Sequence, residues 1–209
     1  NFLLRILILS TLINFLITYF FKSYSWLSNF IIISSIFLII SSLLDLYKLN
    51  KNEEWNLSRV ISHLSFGFLI LFIGLNHNFS LEKDFNLKIG DKKIFDNYSI
   101  EFKSVNLKEL KNYKAVIGEF KLKNLEKKIE QTLLPEIRIY ENPSTLTYEA
   151  SIKSKLFKDY YLTMSNIDRS DFYNIKFQKK PFMIWIWISV VFIAFGGIIK
   201  LFKNVKPNY

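Results

Sequence analysis

Leu57-Ser58-Arg59-Val60-Ile61-Ser62-His63-Leu64-Ser65-Phe66-Gly67-Phe68-Leu69-Ile70-Leu71-Phe72-Ile73-Gly74-Leu75 is the stretch on which the fold turns. It is long and apolar enough to cross a bilayer, yet Arg59 and His63 interrupt it. Counted as a span, it is the third of four. The others are roughly Phe2–Phe21, Tyr24–Leu44 and Phe182–Leu201. Only Lys22 and Ser23 separate the first two, which predicts a tight helical hairpin. The polar stretch Asn76–Pro181 then lies between the third and fourth spans and is long enough for one small domain.

His63 is the only histidine inside any span. An ionisable side chain in hydrocarbon is costly and normally has a partner or a ligand. At 100° per residue, Gly67 and Gly74 fall within about 40° of His63 on the helical wheel. Two readings stay open on these residues. One is an imidazole with room beside it for a flat macrocycle such as haem. The other is a histidine bonded to the backbone or a hydroxyl of a neighbouring helix.

Half of the 209 residues are hydrophobic and 17% are aromatic, a mixture that reads as a membrane protein with an attached polar domain. There is no cysteine, so disulfides, thiolate metal sites and cysteine nucleophiles are excluded within the chain. The chain opens at Asn1 directly in an apolar run with no signal-peptide pattern, and a piece of a longer protein is expected.

Orientation follows from the basic residues beside the spans. With the C-terminus cytoplasmic, Arg5, Lys48, Lys51, Arg59, Lys200, Lys203 and Lys206 lie inside and only Lys22 lies outside. This places Asn76–Pro181 in the periplasm or, alternatively, the mitochondrial intermembrane space. Trp26, Trp185 and Trp187 then mark the outer interface and Trp55 the inner one. Half of the net charge of +10 belongs to the polar stretch, where 20 Lys/Arg and 15 Asp/Glu interleave. Interleaving predicts a solvated surface rather than a nucleic-acid patch.

The polar stretch reads as β-rich. Tyr98-Ser99-Ile100-Glu101-Phe102 alternates with period two. Tyr113, Ala115 and Ile117 alternate, the phase slips at Gly118-Glu119, and it resumes at Phe120 and Leu122, which predicts a β-bulge. Further strands are expected over Phe85–Ile89, Leu134–Tyr140, Leu146–Ile152, Tyr160–Ser165 and Phe172–Phe177. Turns are expected at Gly90-Asp91, Asp96-Asn97 and Asn142-Pro143-Ser144. Leu107–Leu110 and Leu125–Ile129 are candidate short helices. The expected fold is a small sandwich or barrel with Ile100, Phe102, Ile117 and Ile139 in its core. The fold class is therefore a membrane protein of α-helical spans with a small extracytoplasmic β-rich domain inserted between the last two. Its divisions are residues 1–75, 76–181 and 182–209.

No hydrolase elbow, phosphate-cradling loop or zinc-protease motif is present. The most patterned polar feature is Pro135-Glu136-Ile137-Arg138-Ile139-Tyr140. In a strand, Glu136, Arg138 and Tyr140 share one face, either as a solvated ion pair or as a docking face for a partner. Asp168, Arg169 and Asp171 read as a charged turn, His77 as a surface histidine, and Gly196-Gly197 as a place of close helix approach.

An ordered set of short matches adds to this. It begins with Arg59-x-x-x-His63-x-x-x-Gly67 in a span carrying Gly74. Asn112-Tyr113 with Gly118 and Phe120 follow, then Leu134-Pro135-Glu136-x-Arg138-x-Tyr140, then Thr147 with Glu149-Ala150 and Asp159-x-Tyr161. It closes with Lys180-Pro181-Phe182, Trp185-x-Trp187 and Gly196-Gly197. Over roughly residues 55–203 the chain resembles the C-terminal part of the CcmF/NrfE/CycK family of cytochrome c-type biogenesis proteins.

The resemblance implies a role in attaching haem to the Cys-x-x-Cys-His motif of apocytochromes c, that is, part of a haem lyase. It implies an intramembrane haem b ligated by two histidines from different spans, with His63 as one axial ligand to the iron and Gly67 and Gly74 beside it. The implied partners are the rest of a CcmF-like protein or a separate chain, the haem chaperone CcmE, a CcmH-like apocytochrome-binding protein, apocytochrome c and membrane lipid. The implied location is a bacterial inner membrane or, alternatively, the mitochondrial inner membrane. The family's tryptophan-rich haem-handling motif and its second haem b ligand have no counterpart in these 209 residues. A bis-histidine haem needs two axial ligands, so the second must come from outside the chain. Two other classes remain: a membrane-anchored sensor or binding module without cofactor chemistry, and a transporter accessory subunit.

Overall fold

The computed structural model describes residues 2–21, 25–48, 56–166 and 171–204. Lys22, Ser23, Lys51, Trp55, Asp168, Arg169 and Lys206 lie outside the described residues. So do the hairpin turn, the inner-interface tryptophan and most of the charged turn expected there.

Four helices are long and apolar enough to cross a membrane: α1 (Phe2–Phe21), α2 (Trp26–Lys48), α3 (Asn56–Phe79) and α4 (Met183–Asn204). With Pro181 they form one compact unit, and Ser80–Lys180 form a second. Helix α3 runs one turn past its expected end and carries His77, whose Nδ1 lies 3.0 Å from Ser28 Oγ on α2. His77 is exposed and also meets a neighbouring helix.

In lipid, helices associate through close packing and small residues, because there is no hydrophobic drive between them. Ser10, Asn14 and Thr18 form a buried stripe on α1, and Ser28, Ser35 and Ser42 form one on α2. The hydroxyls of Ser10, Thr18 and Ser35 turn back on their own helices, Ser10 Oγ donating to Ile6 O at 2.8 Å and Ser35 Oγ to Ile32 O at 2.7 Å. This leaves small, self-satisfied surfaces for a neighbour. Gly67 and Gly74 of α3 back onto α2, and Gly196 of α4 backs onto α3. Ser58 Oγ donates to Gly196 O at 2.5 Å. Gly197 faces open space, so only one of the glycine pair serves the contact.

The second unit is a β-sandwich of ten strands. They are β1 (Leu81–Leu87), β2 (Lys92–Phe95), β3 (Tyr98–Glu109), β4 (Tyr113–Asn124), β5 (Ile129–Leu133), β6 (Glu136–Glu141), β7 (Ser144–Glu149), β8 (Ser151–Lys155), β9 (Lys158–Asn166) and β10 (Tyr173–Pro181). One sheet has the order β1-β10-β9-β8. The other has β2-β3-β4-β6-β7, with β5 also on β4. The strand expected over Leu146–Ile152 is two strands, β7 and β8, and the chain passes from one sheet to the other at Ala150. The two candidate short helices do not form. Leu107–Glu109 stays in β3, paired to β4, and Leu125–Lys128 is a turn into β5.

The core lies between the sheets. Ile100, Phe102, Phe120, Leu122, Leu133, Leu162, Met164, Ile175 and Phe177 are fully or almost fully buried. Phe102 and Phe120 are register partners whose rings stack at 4.2 Å. Ile100 and Phe102 hold the core places expected of them. Ile117 and Ile139 do not. Ile117 faces outward opposite Glu136, and Ile139 is 39% exposed. Ile139 shares the inward phase of Ile137 but lies toward the open end of β6, beside exposed Lys114 and Leu146. For Ile117 the reason is a phase error. In β4 the core face is Val116, Gly118, Phe120 and Leu122, all in one phase, and Tyr113, Ala115 and Ile117 face the other side. The bulge is real but sits on the partner strand: Lys103 of β3 is the extra residue, between the pairs Phe102↔Phe120 and Ser104↔Glu119. Gly118 is required on the core face because a Cβ there would stand 2.7 Å from Met164 Sδ.

Two predictions follow from this core. Burying an aromatic or aliphatic side chain contributes about 1.5–3 kcal/mol, and truncating a buried Phe costs about 3–5 kcal/mol. Phe102→Ala is expected to accelerate amide hydrogen exchange throughout β3 and β4, whereas Ile139→Ala, at a half-open position, leaves it nearly unchanged. Equal effects would contradict the burial assigned here. The second concerns pH. The Tyr98 hydroxyl lies 3.4 Å from that of Tyr160, and burial, then the Tyr160 contact, push its pKa up to about 12. The folded state therefore holds this proton more tightly than the unfolded state. Its stabilisation is complete below about pH 10 and is lost between about pH 10 and 12. Urea unfolding of the sandwich against pH is expected to weaken over that window, and Tyr98→Phe to flatten the loss.

Candidate functional site

Three sides of α3 have different neighbours. Val60, Gly67 and Gly74 lie toward α2: a Cβ on Gly67 would stand 2.8 Å from Ile39 Cγ1, and one on Gly74 3.1 Å from Ile31 Cγ2. Ser58 and Ser62 lie toward Gly196 of α4. His63, Phe66 and Ile73 remain exposed, uncovered by the other described helices. One turn before His63, Arg59 reaches Asp45 of α2 at 3.9 Å, with both side chains about half exposed.

This geometry corrects one expectation. Gly67 and Gly74 do lie near His63 on the helical wheel, but α2 occupies the room they leave. Within this chain they are packing glycines and do not open a slot beside the imidazole. His63 stands at the rim of that contact, where its side chain is accessible. Among the described residues no group of three or more His, Asp and Glu is placed to hold a metal ion.

The second cluster is on the outward face of the larger sheet. Pairing of β6 with β4 sets Arg138 opposite Ala115 and Tyr140 opposite Tyr113, and pairing of β6 with β7 sets Arg138 opposite Thr147 and Glu136 opposite Glu149. Arg138 Nε donates to Glu136 Oε2 at 2.9 Å, and Nη1 lies 3.8 Å from Glu149 Oε1. The guanidinium sits 5.0 Å from the Tyr113 ring centroid, and the Tyr113 and Tyr140 rings are 5.2 Å apart. The Glu136 bond comes first among the causes that raise the Arg138 pKa above its ordinary value, so the cation is permanent. Ala115 is buried beneath.

Glu136, Arg138 and Tyr140 thus share a face as the strand pattern requires. The structure adds Tyr113, Thr147 and Glu149, which sequence reasoning did not group with them. The signal was there in Tyr113-x-Ala115-x-Ile117, an alternation whose apolar look concealed an outward face. A fixed guanidinium between two carboxylates and two phenol rings is a stiff polar surface with few rotamers left to lose on contact. Asp171 belongs to neither cluster. It pairs with Lys88 at 3.7 Å on an open surface.

Comparison with known proteins places these elements. The family model described as the CcmF C-terminal beta-sandwich matches residues 78–181. The cytochrome c-type biogenesis protein CcmF of Haemophilus influenzae is 24% identical over 207 residues, covering 91% of this chain and 31% of that protein. CcmF of Escherichia coli K12 is 27% identical over 154 residues, covering 71% of this chain and 24% of its own. Over a shorter range the chain is also similar to an uncharacterised mitochondrial protein, ymf2, of Marchantia polymorpha, at 31% identity over 75 residues, 35% of this chain and 23% of that protein. A solved structure titled cytochrome c heme lyase CcmF superposes with a TM-score of 0.72 at 16% identity, covering 94% of this chain and 33% of that one. That likeness is one of fold. The chain spans no more than about a third of the length of these bacterial relatives.

The α2–α3 contact gives a prediction. Forcing bulk into a packed interface costs about 1–3 kcal/mol. Gly67→Leu is expected to loosen α2 from α3, read as increased protease cleavage or amide exchange in the helical unit. Gly197→Leu, with open space around it, is expected to leave both unchanged.

Proposed function

This chain belongs to the CcmF/NrfE/CycK family of cytochrome c-type biogenesis proteins, as a C-terminal part of it, and from that premise we propose that it supplies one axial ligand, His63, to a membrane haem b and an extracytoplasmic docking domain to a cytochrome c haem-ligation machine. The carrying observation is the exposure of His63 at the middle of α3. A span with its own neighbours on two sides turns its one intramembrane imidazole away from both.

The chain's residues fit half of a bis-histidine site. His63 offers an imidazole nitrogen, and exposed Phe66 and Ile73 give an apolar surround on the same side. Among the described residues no second histidine stands beside it, and a bis-histidine site would take its other nitrogen from another segment. A b-type haem held there would supply one-electron redox chemistry. The protein's part is to present the imidazole at the open side of α3. Gly67, Gly74 and Gly196 do this work indirectly by fixing the rotation of α3.

The sandwich lies on the periplasmic or intermembrane-space side in this reading, following the basic residues flanking the spans. Arg138, locked by Glu136 and Glu149 and backed by Tyr113 and Tyr140, is the face that meets a partner of the pathway: the haem chaperone CcmE, a CcmH-like protein or the apocytochrome itself. A pre-ordered cluster suits repeated, transient encounters, because charged rims mainly set association rates. The joining of haem to the Cys-x-x-Cys-His thiols is the act of the whole assembly.

The test is His63→Ala in the assembly that contains the second ligand. The expected outcome is loss of haem b, or conversion of its low-spin spectrum to a high-spin one that takes up added imidazole. An unchanged low-spin b-type spectrum with normal cytochrome c maturation would remove His63 from the site.

A further inference from the structure

A cavity of about 140 Å³ opens at one end of the sandwich, between β8 and β9 of one sheet and β4 and β5 of the other. That is well above the roughly 10–15 Å³ that a single water needs. Leu122 and Ile129 give it an apolar wall. Tyr98 and Tyr160, 5% and 3% exposed, bring their hydroxyls together at 3.4 Å beside it. Lys127, Lys155 and Lys158, with the amides of Asn124 and Gln131, complete the lining.

Two features separate this place from the rest of the surface. No carboxylate lines the cavity, although the domain carries 15 of them. Asn124, which could offer an acceptor, has its Oδ1 occupied by the Lys127 backbone N–H at 2.9 Å. Elsewhere among the described residues of the domain Lys83, Lys88, Lys103, Lys114, Lys123 and Lys176 pair with a carboxylate, while Lys92, Lys93, Lys108, Lys111, Lys121, Lys128, Lys153 and Lys180 do not, so it is the gathering of cations, and not the missing ion pair, that marks this place. Among the described residues, Lys127, Lys155, Lys158 and Lys179 make no ion pair. Yet Lys158 Nζ lies 5.3 Å from the Tyr160 ring centroid and Lys179 Nζ 6.0 Å from that of Tyr98, both gathered at the same tyrosine pair. Burial first, and repulsion from Lys158 second, lower the Lys179 pKa. Asp96 lies near enough to offset part of this, and Asp96 is already within 4.0 Å of Lys83. Cations drawn together without a counter-charge raise the free energy of the empty site, and an anion arriving there recovers it.

The geometry points to a binding site for a carboxylate on a short apolar stem, with Lys155 and Lys158 neutralising the charge and Leu122 and Ile129 covering the stem. A lysine ammonium is a compact point charge that meets a single carboxylate without requiring a bidentate fork. The cavity's size admits one such group and no large ring. The chemistry has two sources, a free small acid or a glutamate side chain of a polypeptide. The inference is independent of the haem reading, since it uses no residue of the helical unit.

The experiment uses the full chain in detergent, with its lysines reductively ¹³C-methylated and titrated by NMR at constant ionic strength, because surface electrostatics fade with salt. The probes are butyrate, a capped glutamate-containing tripeptide and inorganic phosphate. Saturable shifts of the cavity lysines with butyrate are expected. Affinity should fall at least tenfold in the Lys155→Gln/Lys158→Gln double variant and hold in Lys108→Gln, an exposed position on β3. Unchanged amide exchange in β3 and β4 checks that the variants are folded. A tripeptide that binds at least tenfold tighter than butyrate assigns the site to a polypeptide side chain, and one that does not assigns it to a free acid. No saturation with either carboxylate, equal binding of phosphate, or affinity unaltered by the double substitution overturns the assignment.

Discussion

The helical unit depends on three absent side chains. At Gly67 and Gly196 a Cβ would meet Ile39 or Ser62 at distances that packed atoms do not tolerate, and at Gly74 it would press on Ile31. Their absence lets α2 and α4 approach α3 at backbone distance, and lets Ser58 of α3 hydrogen-bond to a carbonyl of α4. In lipid this is how helices gain anything from association, because exposed and buried apolar side chains have nearly the same free energy there. The glycines fix more than a distance. Two helices seated on α3 determine which residues of its remaining surface stay open, and His63 is among them. Bulk introduced at a glycine that touches no ligand therefore disturbs the orientation of the imidazole.

How much of this was legible in the sequence depends on how local the determining physics is. Spans are set by the length and hydropathy of a continuous segment, so all four were visible, α3 included despite Arg59 and His63. Core strands with strict alternation, such as Tyr98–Phe102, were visible for the same reason. β4 was harder. Its outward face carries Tyr113, Ala115 and Ile117, which look like core until the register with Arg138 and Glu136 is known. Register is a property of two strands, and a single sequence displays one. The Lys103 bulge was assigned to the wrong member of the pair because a phase change looks alike from either side. β2 and β5, Lys92–Phe95 and Ile129–Leu133, are short and carry too little alternation to stand out as strands: their strand state comes from pairing with β3 and β4. The expected slot beside His63 failed for a related reason. A helical wheel states which residues share an arc, and only the neighbouring helix states whether the arc is free.

Charge on the sandwich follows a similar logic. Many of its lysines are consumed in exposed pairs, Lys114 with Glu141 at 3.2 Å and Lys123 with Glu130 at 2.9 Å among them. Such exposed pairs do more to keep the surface soluble than to hold the fold. Arg138 differs in kind. It is bonded along the strand to Glu136, reaches across to Glu149, and lies against a tyrosine ring, so the arrangement persists without help from solvent. Composition could not separate these cases, since both contribute only to an interleaved charge count.

The lysines around the cavity are informative through where they gather, since, among the described residues, other lysines of the domain such as Lys92, Lys108 and Lys121 are also without an ion pair. At Tyr98 and Tyr160, two buried hydroxyls, two ammonium groups over the rings and a cavity without a carboxylate occur together. Tyr98 also belongs to the hydrophobic core, so the floor of the cavity is as rigid as the core itself. A flexible basic surface adapts to many anions and prefers none. A fixed one, with the charge on one side and an apolar wall on the other, selects by shape, and a carboxylate on a short stem is the shape these walls describe.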